Sequence, residues 1–477
     1  MSFLQFDGWI SRFSVVLLAL VTFLTVSQSG VAQDAKPAEV APVSFYRQVR
    51  PVIQRHCSGC HQPSKAGGKL IVTSFEALAK GGESGPGIVP HKPAESSLVE
   101  VISGEKPRMP LKADPLKKVQ VELITRWIAE GAKDDTPMAL QDNISAEHPP
   151  VYTNPPVITA LAYSPDSKLL AVSGFREILV HNADGSGLVK RLVGRSQRIE
   201  SLAFSLDGKI LAAVGGTPSL FGEVQFWNTA DWTERSASFA SDVMYGGSFS
   251  DDSKTFACGG ADNSIRLIKV EDMTLLRKLD PHSDWVLGTG FSVDGKNLVT
   301  VSRDMAMKLS IVENGQFVDN ITSITPGALK GGLMAVRRHP LRDEFLTGGA
   351  DGEPKLYKMI RTQVRMIGDD FNRIRGYAPL PGRIFTLDFN TDGSKFVVGS
   401  SAAMTGAVRV YNTEDAKLLF ELPGHSRGVF SVDFRPDGAQ IATGGFDGTI
   451  RLFDANTGLL VKQFVPVVIS PAVASQK

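Results

Sequence analysis

The chain has 477 residues, 42% of them hydrophobic and 21% charged, with a formal net charge of +1. That length suits two or three domains, and the composition is ordinary globular usage. The near-neutral balance argues against a nucleic-acid partner, and 46 glycines suit a turn-rich β-protein better than a helical one.

The first feature in chain order is Ser14–Val26, SVVLLALVTFLTV, preceded by Arg12 and followed by small residues at Gly30 and Ala32. This is the layout of a secretory signal, residues 1–32, with cleavage after Ala32. The run is shorter than the roughly 20 residues a span requires; the alternative is an uncleaved membrane anchor. Export to a periplasmic or equivalent extracytoplasmic space is expected, and membrane association only if the segment stays attached. Such a compartment is oxidising. Residues 33–43 then read as a Pro/Ala-rich linker.

Phe45, Val49, Val52, Ile53 and Cys57 recur at helical spacing, with Ser44 as cap. At the end of that face sits Cys57-Ser58-Gly59-Cys60-His61. C-x-x-C-H places two thiols where they can join the two vinyl groups of a haem and a histidine where it can ligate the iron. Cys57 and Cys60 are therefore candidate haem thioethers and His61 the candidate proximal ligand. A zinc site would require a second ligand pair, but the remaining cysteine, Cys258, lies in the distant strand TFACGG and reads as a small buried residue. His56 and His91 make no such pair. A redox dithiol would require a βαβ setting, which is absent.

Two residues compete for the sixth iron position. Met109 lies in the Pro-flanked loop GEKPRMPLKADP, and its thioether would raise the potential. His91, in GIVPHKPAESSL, would make a bis-histidine haem of lower potential. Downstream, Asp114-Pro115 predicts a helix opening, Leu123, Ile124, Trp127 and Ile128 an apolar helix face, and Gly131 its stop.

Residues 136–155, with four prolines, form a second linker. The texture beyond them is repetitive. An apolar strand and a polar turn recur as AYSPDSK, AFSLDGK, SFSDDSK, GFSVDGK, VRRHPLRDE, DFNTDGSK and DFRPDGAQ. The turn residues Asp166, Asp207, Asp252, Asp294, Asp392 and Asp437 are spaced 41, 45, 42, 98 and 45 apart, the long gap covering a copy with Leu341 in the turn. A period of 40–50 residues with several strands per copy predicts a β-propeller, here seven-bladed over 156–467, with a tail at 468–477.

The copies resemble WD40 repeats. The seventh, GHSRGVFSVDFRPDGAQIATGGFDGTIRLFDANTG, carries the Gly-His opening, Asp447 and the Phe453-Asp454 ending. Copies three and four keep Asp262, Asp304 and His282; copies one, two and six lack the histidine and turn aspartate. Residues 44–135, from RPVIQRHCSGCH through PRMP to LITRWIAEGA, are similar to the cytochrome c domain typical of planctomycete bacteria. That resemblance implies a class I-like topology with His61 and Met109 as axial ligands. His91, where Gly or Ala is expected before Lys-Pro, departs from it.

The expected fold is thus multidomain: a small all-α cytochrome c-like domain followed by an all-β seven-bladed WD40-type propeller. The expected function is an exported electron carrier with one covalent haem c, a redox partner protein, and a propeller face that docks a protein. The alternatives are a propeller-based oxidoreductase using the haem as internal acceptor, and a WD40 scaffold in which the haem is incidental. Against an enzyme, His181, His282, His339 and His425 fall in different strands or loops and read as structural or exposed residues.

Overall fold

The computed structural model describes residues 41–62, 65–136, 144–325, 329–403 and 405–470. The expected export segment, most of the first linker, part of the second and the end of the tail lie outside the described residues.

A small, mainly helical region comes first. A π-helical turn, Phe45–Val49, runs into α1, Arg50–His56, and Ser44 Oγ caps it by accepting the N–H of Arg47 at 3.0 Å. Further helices are α2 (Phe75–Lys80), α3 (Ser97–Ile102) and α4 (Lys118–Ala129). The expected opening of α4 at Asp114-Pro115 is not observed. The helix starts at Lys118, and Gln120 Oε1 accepts the Lys117 N–H at 2.9 Å. Leu116 explains the delay, because its side chain is drawn into the core while the chain is still non-helical. The buried faces are those the periodicity marks: Phe45, Val49 and Ile53 against Ile124, Trp127 and Ile128. Phe45 stacks on Trp127 with ring centroids 5.1 Å apart, and Phe75 meets Phe45 edge-on at 5.2 Å. First and last segments are tied by Val43 N–H to Glu130 Oε2 (2.7 Å) and Tyr46 N–H to Asp135 Oδ1 (2.8 Å).

Seven four-stranded antiparallel sheets follow, each built from four consecutive strands. They are blades 1 to 7, covering 161–193, 198–240, 244–279, 286–320, 333–376, 383–421 and 429–464. In every blade the first strand packs against the first strands of both neighbours, so these strands surround the axis. The turn between first and second strands is stabilised locally. Ser164 Oγ donates to Asp166 Oδ1 and accepts the Leu169 N–H, and Asp166 Oδ1 accepts the Lys168 N–H. Ser205/Asp207, Ser250/Asp252 and Ser292/Asp294 repeat this, and the serine hydrogen bond holds each carboxyl below its ordinary value. In blade 5 His339 replaces the serine and accepts the Leu341 N–H at 3.2 Å.

Ring closure is non-covalent. Ile158 N–H donates to Gly445 O at 3.0 Å, Tyr152 and Ile469 form a parallel bridge, and blades 7 and 1 share an apolar core containing Leu170, Val172, Leu179, Ala442, Ile450 and Leu452. At equivalent inner-strand positions, Asp388 Oδ2 accepts the Phe434 N–H (2.9 Å) and Asp433 Oδ2 accepts the Tyr163 N–H (2.6 Å). These carboxylates thus link blade 6 to 7 and blade 7 to 1. Burial raises both titrations; the Asp388 charge pushes Asp433 further up, whereas Arg337, 3.5 Å from Asp388, opposes the rise at both. The pair holds a proton that unfolded carboxyls release near pH ~4. Its contribution is full below that pH and is lost as pH rises through the folded titration. Asp433→Asn, whose amide imitates the protonated carboxyl, should match the parent chain at acidic pH and exceed its thermal midpoint increasingly toward alkaline pH. A constant difference across pH would contradict this assignment.

In blade 4, His282 Nδ1 lies 2.9 Å from Asp304 Oδ2 and its Nε2 lies 2.8 Å from Thr300 Oγ1, with Lys308 Nζ 3.6 Å from Asp304. Burial works against the charge of Asp304, but the hydrogen bond and charge of His282 outweigh it and hold the carboxyl below the usual range. Asp304→Ala leaves the buried His282 Nδ1 without its partner, while Nε2 keeps Thr300 and Lys308 keeps the Pro281 carbonyl, and should cost about 3 kcal/mol by chemical denaturation.

Candidate functional site

The C-x-x-C-H segment begins where α1 ends. The Cys57 carbonyl accepts the N–H of Cys60 at 3.2 Å and of His61 at 3.1 Å, which folds the motif into one tight turn. His61 then enters a two-residue hairpin, His61–Gln62 with Lys65–Ala66, and its carbonyl accepts the Val72 N–H at 2.9 Å. Gly67 passes beneath the ring, where an added Cβ would lie 3.6 Å from His61 Cε1.

Cys57 is half-buried against the helical core and Cys60 is exposed. Burial pushes the Cys57 thiol up to about 11. Met109 packs against the same core, its backbone N–H bonded to Val101 O of α3 at 2.9 Å. Half-buried Val52, Leu70, Phe75, Val99, Val121 and Leu123 complete an apolar rim around that core. His61 Nδ1 is buried without a hydrogen-bond partner. Such a nitrogen is costly to leave unsatisfied. Two thiols, an imidazole short of a partner and a thioether, of which Cys57 and Met109 pack on the same apolar cluster, are a donor set whose chemistry fits a covalently held haem.

His91 is placed differently. It is exposed, its Nδ1 lies 3.2 Å from Ala129 O, and its backbone N–H donates to Ile128 O at 2.8 Å. The ring covers Gly131, whose φ of +105° ends α4. Its position is thus explained by the C-terminus of α4, where a histidine is favourable. His56 Nε2 lies 3.4 Å from Gln120 Nε2. Among the described residues, no group of three or more His, Cys, Asp or Glu side chains gathers to hold a metal ion.

The propeller contributes a cavity of about 1310 Å³ along its axis, lined by inner strands of all seven blades. Around it Tyr245 stacks on Trp285 at 5.7 Å, the Arg303 guanidinium lies 4.6 Å from the Trp285 ring centre, and Phe385 meets Phe430 edge-on. Burial raises the Glu200 carboxyl in the cavity wall, while Arg198, 2.8 Å away, opposes the rise. Aromatic and arginine side chains around a concave centre are the residue types that anchor protein partners. Sequence reasoning missed this lining because its members occupy irregular positions before or within first strands and in the turns after second strands. The propeller histidines are engaged structurally: His181 Nε2 with Pro466 O at 3.1 Å, His425 Nε2 with Thr443 Oγ1 at 2.9 Å, and His282 and His339 as described. Cys258 is fully buried and its thiol is pushed up to about 12 by burial.

The comparisons follow the same division. Residues 57–111 match the family model described as planctomycete cytochrome C. Residues 240–269, 273–309 and 416–454 match that of the WD domain, G-beta repeat. Periodic tryptophan protein 2 of Saccharomyces cerevisiae is 23% identical over 303 residues, covering 56% of this chain and 31% of that protein. The guanine nucleotide-binding protein subunit beta of Oryza sativa subsp. japonica is 26% identical over 183 residues, 37% of this chain and 46% of that one. WD repeat-containing protein SL1-17 of Schistosoma mansoni is 34% identical over 99 residues, 20% and 32% of the two chains. The chain spans less than half the length of each of these relatives. The larger part of the molecule is thus a seven-bladed β-propeller with three stretches that match the WD-domain repeat model; WD40 propellers generally mediate protein–protein interaction.

The thiols differ enough to be told apart chemically. In reduced chain made without haem attachment, iodoacetamide at pH 8 should label Cys60 first. Cys57 should lag, because burial shields it and pushes its thiol up, and Cys258 should remain unmodified. Equal labelling of Cys57 and Cys60 by peptide mass analysis would contradict the burial of Cys57.

Proposed function

We propose that the chain is an exported c-type cytochrome that carries electrons on one covalent haem and docks a protein partner through its propeller. The observation that carries the reading is the folding of Cys57, Cys60 and His61 into a single turn beside the apolar rim that also holds Met109. Cys57 and Cys60 would supply the thioethers, His61 the proximal nitrogen and Met109 the distal sulfur. When bound, haem supplies a one-electron couple. The chain's own contribution is to hold the ligands on fixed backbone, keep apolar side chains around them and exclude water. With both axial positions filled by protein, the site suits transfer rather than substrate chemistry.

The spectrum of exported protein tests the reading, with a covalent haem and a reversible one-electron couple as the expected result. Met109→His should lower the midpoint potential, because thioether ligation raises it. An unchanged potential would remove Met109 as a ligand.

A scaffold reading, in which the haem is incidental, draws on the relatives, which are WD-repeat proteins. Cys57→Ser with Cys60→Ser separates the two. An electron carrier loses its role in respiratory or substrate-linked electron flow, whereas a scaffold keeps both partner binding and phenotype.

A further inference from the structure

The wall of the axial cavity differs from one side to the other. In six blades the residue seven positions before the turn aspartate lines it. In blades 2 and 3 that residue is Glu200 or Tyr245, and in blades 6 and 7 it is Phe385 or Phe430. Repeat geometry thus delivers one side chain per blade to equivalent places, and the sequence sets its chemistry.

On the side of blades 2 to 4, charge is balanced within the protein. Arg198 lies 2.8 Å from Glu200, and Arg303 lies 3.6 Å from Asp284. The side formed by blades 6, 7 and 1 is different. Among the described residues, no aspartate or glutamate of these blades lines the cavity. Arg383 lines it and is exposed, and no carboxylate pairs with it among the described residues. Arg427 is exposed as well, with its guanidinium over the Phe446 ring, 5.3 Å from the centre. It too has no carboxylate partner among the described residues. A guanidinium stacked on a ring keeps its in-plane N–H groups available to a carboxylate.

The same side carries open aromatic surface. Phe385 and Phe430 meet edge-on with centroids 5.3 Å apart. Phe446 is 48% exposed and Phe175 of blade 1 is 44% exposed. All four rings line the cavity.

Charge and size together select the occupant. A basic segment would set like charge against Arg383 and Arg427 with no anion between them, whereas an acidic one supplies the missing partner. The cavity, about 1310 Å³, exceeds the roughly 300–1000 Å³ of small-molecule sites and admits an extended chain. We propose that blades 6, 7 and 1 seat an acidic segment of the partner protein, its carboxylates on Arg383 and Arg427 and its apolar side chains on Phe385, Phe430 and Phe446. This rests on the docking role of the propeller and names the chemistry of what docks there.

A displayed library of short random peptides, selected on the immobilised full holoprotein, tests it. Recovered peptides should be enriched in Asp and Glu next to aromatic or aliphatic residues. Arg383→Glu with Arg427→Glu should weaken their binding, read by fluorescence anisotropy, by about tenfold or more. Lys190→Glu, an exposed reversal on the outer strand of blade 1, should leave binding unchanged. Arg383→Gln and Phe446→Ser, made singly at exposed positions, should each weaken it and keep the result readable if the double reversal is unstable. Recovered peptides without acidic enrichment overturn the proposal. Acidic peptides indifferent to these substitutions also overturn it, while leaving protein docking intact on another face. A library from which nothing is enriched overturns both the proposal and the docking role.

Discussion

Each blade of this propeller leaves apolar faces that only its neighbours can cover, and the molecule depends on that constraint. Seven apolar clusters fill the seven junctions, from blades 1 and 2 (Ile178, Leu202, Trp227) round to blades 7 and 1 (Leu452, Leu179). Burial of apolar side chains is the dominant favourable term in folding, so a ring with one open junction would leave two cores facing water. The closing junction carries the same apolar load as the others and adds specific bonds. Tyr152 pairs with Ile469, its hydroxyl donates to Glu177 at 2.8 Å, and Asp433 reaches Tyr163. Glu177 is fully buried and is held by Arg191 at 2.7 Å. A buried charge of this kind tolerates no loss of its partner.

Within that ring, turn chemistry repeats where side chains meet their own backbone and varies where they meet ions. Aspartates of blades 3, 5 and 7 pair with a base four residues on: Asp262 with Arg266, Asp351 with Lys355, Asp447 with Arg451. Blade 4 alone among the described residues adds a histidine to the aspartate, through His282. In blade 7 the histidine of the family signature is present, yet His425 bonds Thr443 while Asp447 is taken by Arg451. Burial accordingly lowers His425 to about 4 and keeps it neutral. The repeat is thus preserved through geometry more than through one fixed network.

Much of this was legible in the sequence. Strand, turn and glycine pairs recur at a spacing that specifies seven blades, and the helical face from Phe45 to Cys57 is plain in its periodicity. What was not legible depends on contacts distant in sequence. Ring closure rests on Tyr152 meeting Ile469, and no local pattern marks either residue. Asp114-Pro115 reads as a helix start on local chemistry alone, but burial of Leu116 delays α4 to Lys118. For the candidate haem residues, spacing alone placed Cys57, Cys60 and His61 together, since a five-residue turn leaves little choice. The arrival of Met109 at the same rim required α3 to anchor its backbone, and the engagement of His91 with the end of α4 required the helix to be in place first.

The helical region is built as though something apolar completes it. Cys57, Met109 and seven neighbours stay half-buried around a core whose centre, at Trp127 and Ile128, is fully closed. The account therefore turns on whether haem is joined to this chain. Tryptic digestion of exported protein releases residues 56–65, HCSGCHQPSK, as one peptide. Mass analysis should find it carrying one haem through two thioether bonds, at full occupancy. The same peptide recovered unmodified, or with Cys57 and Cys60 joined as a disulfide, would contradict the account.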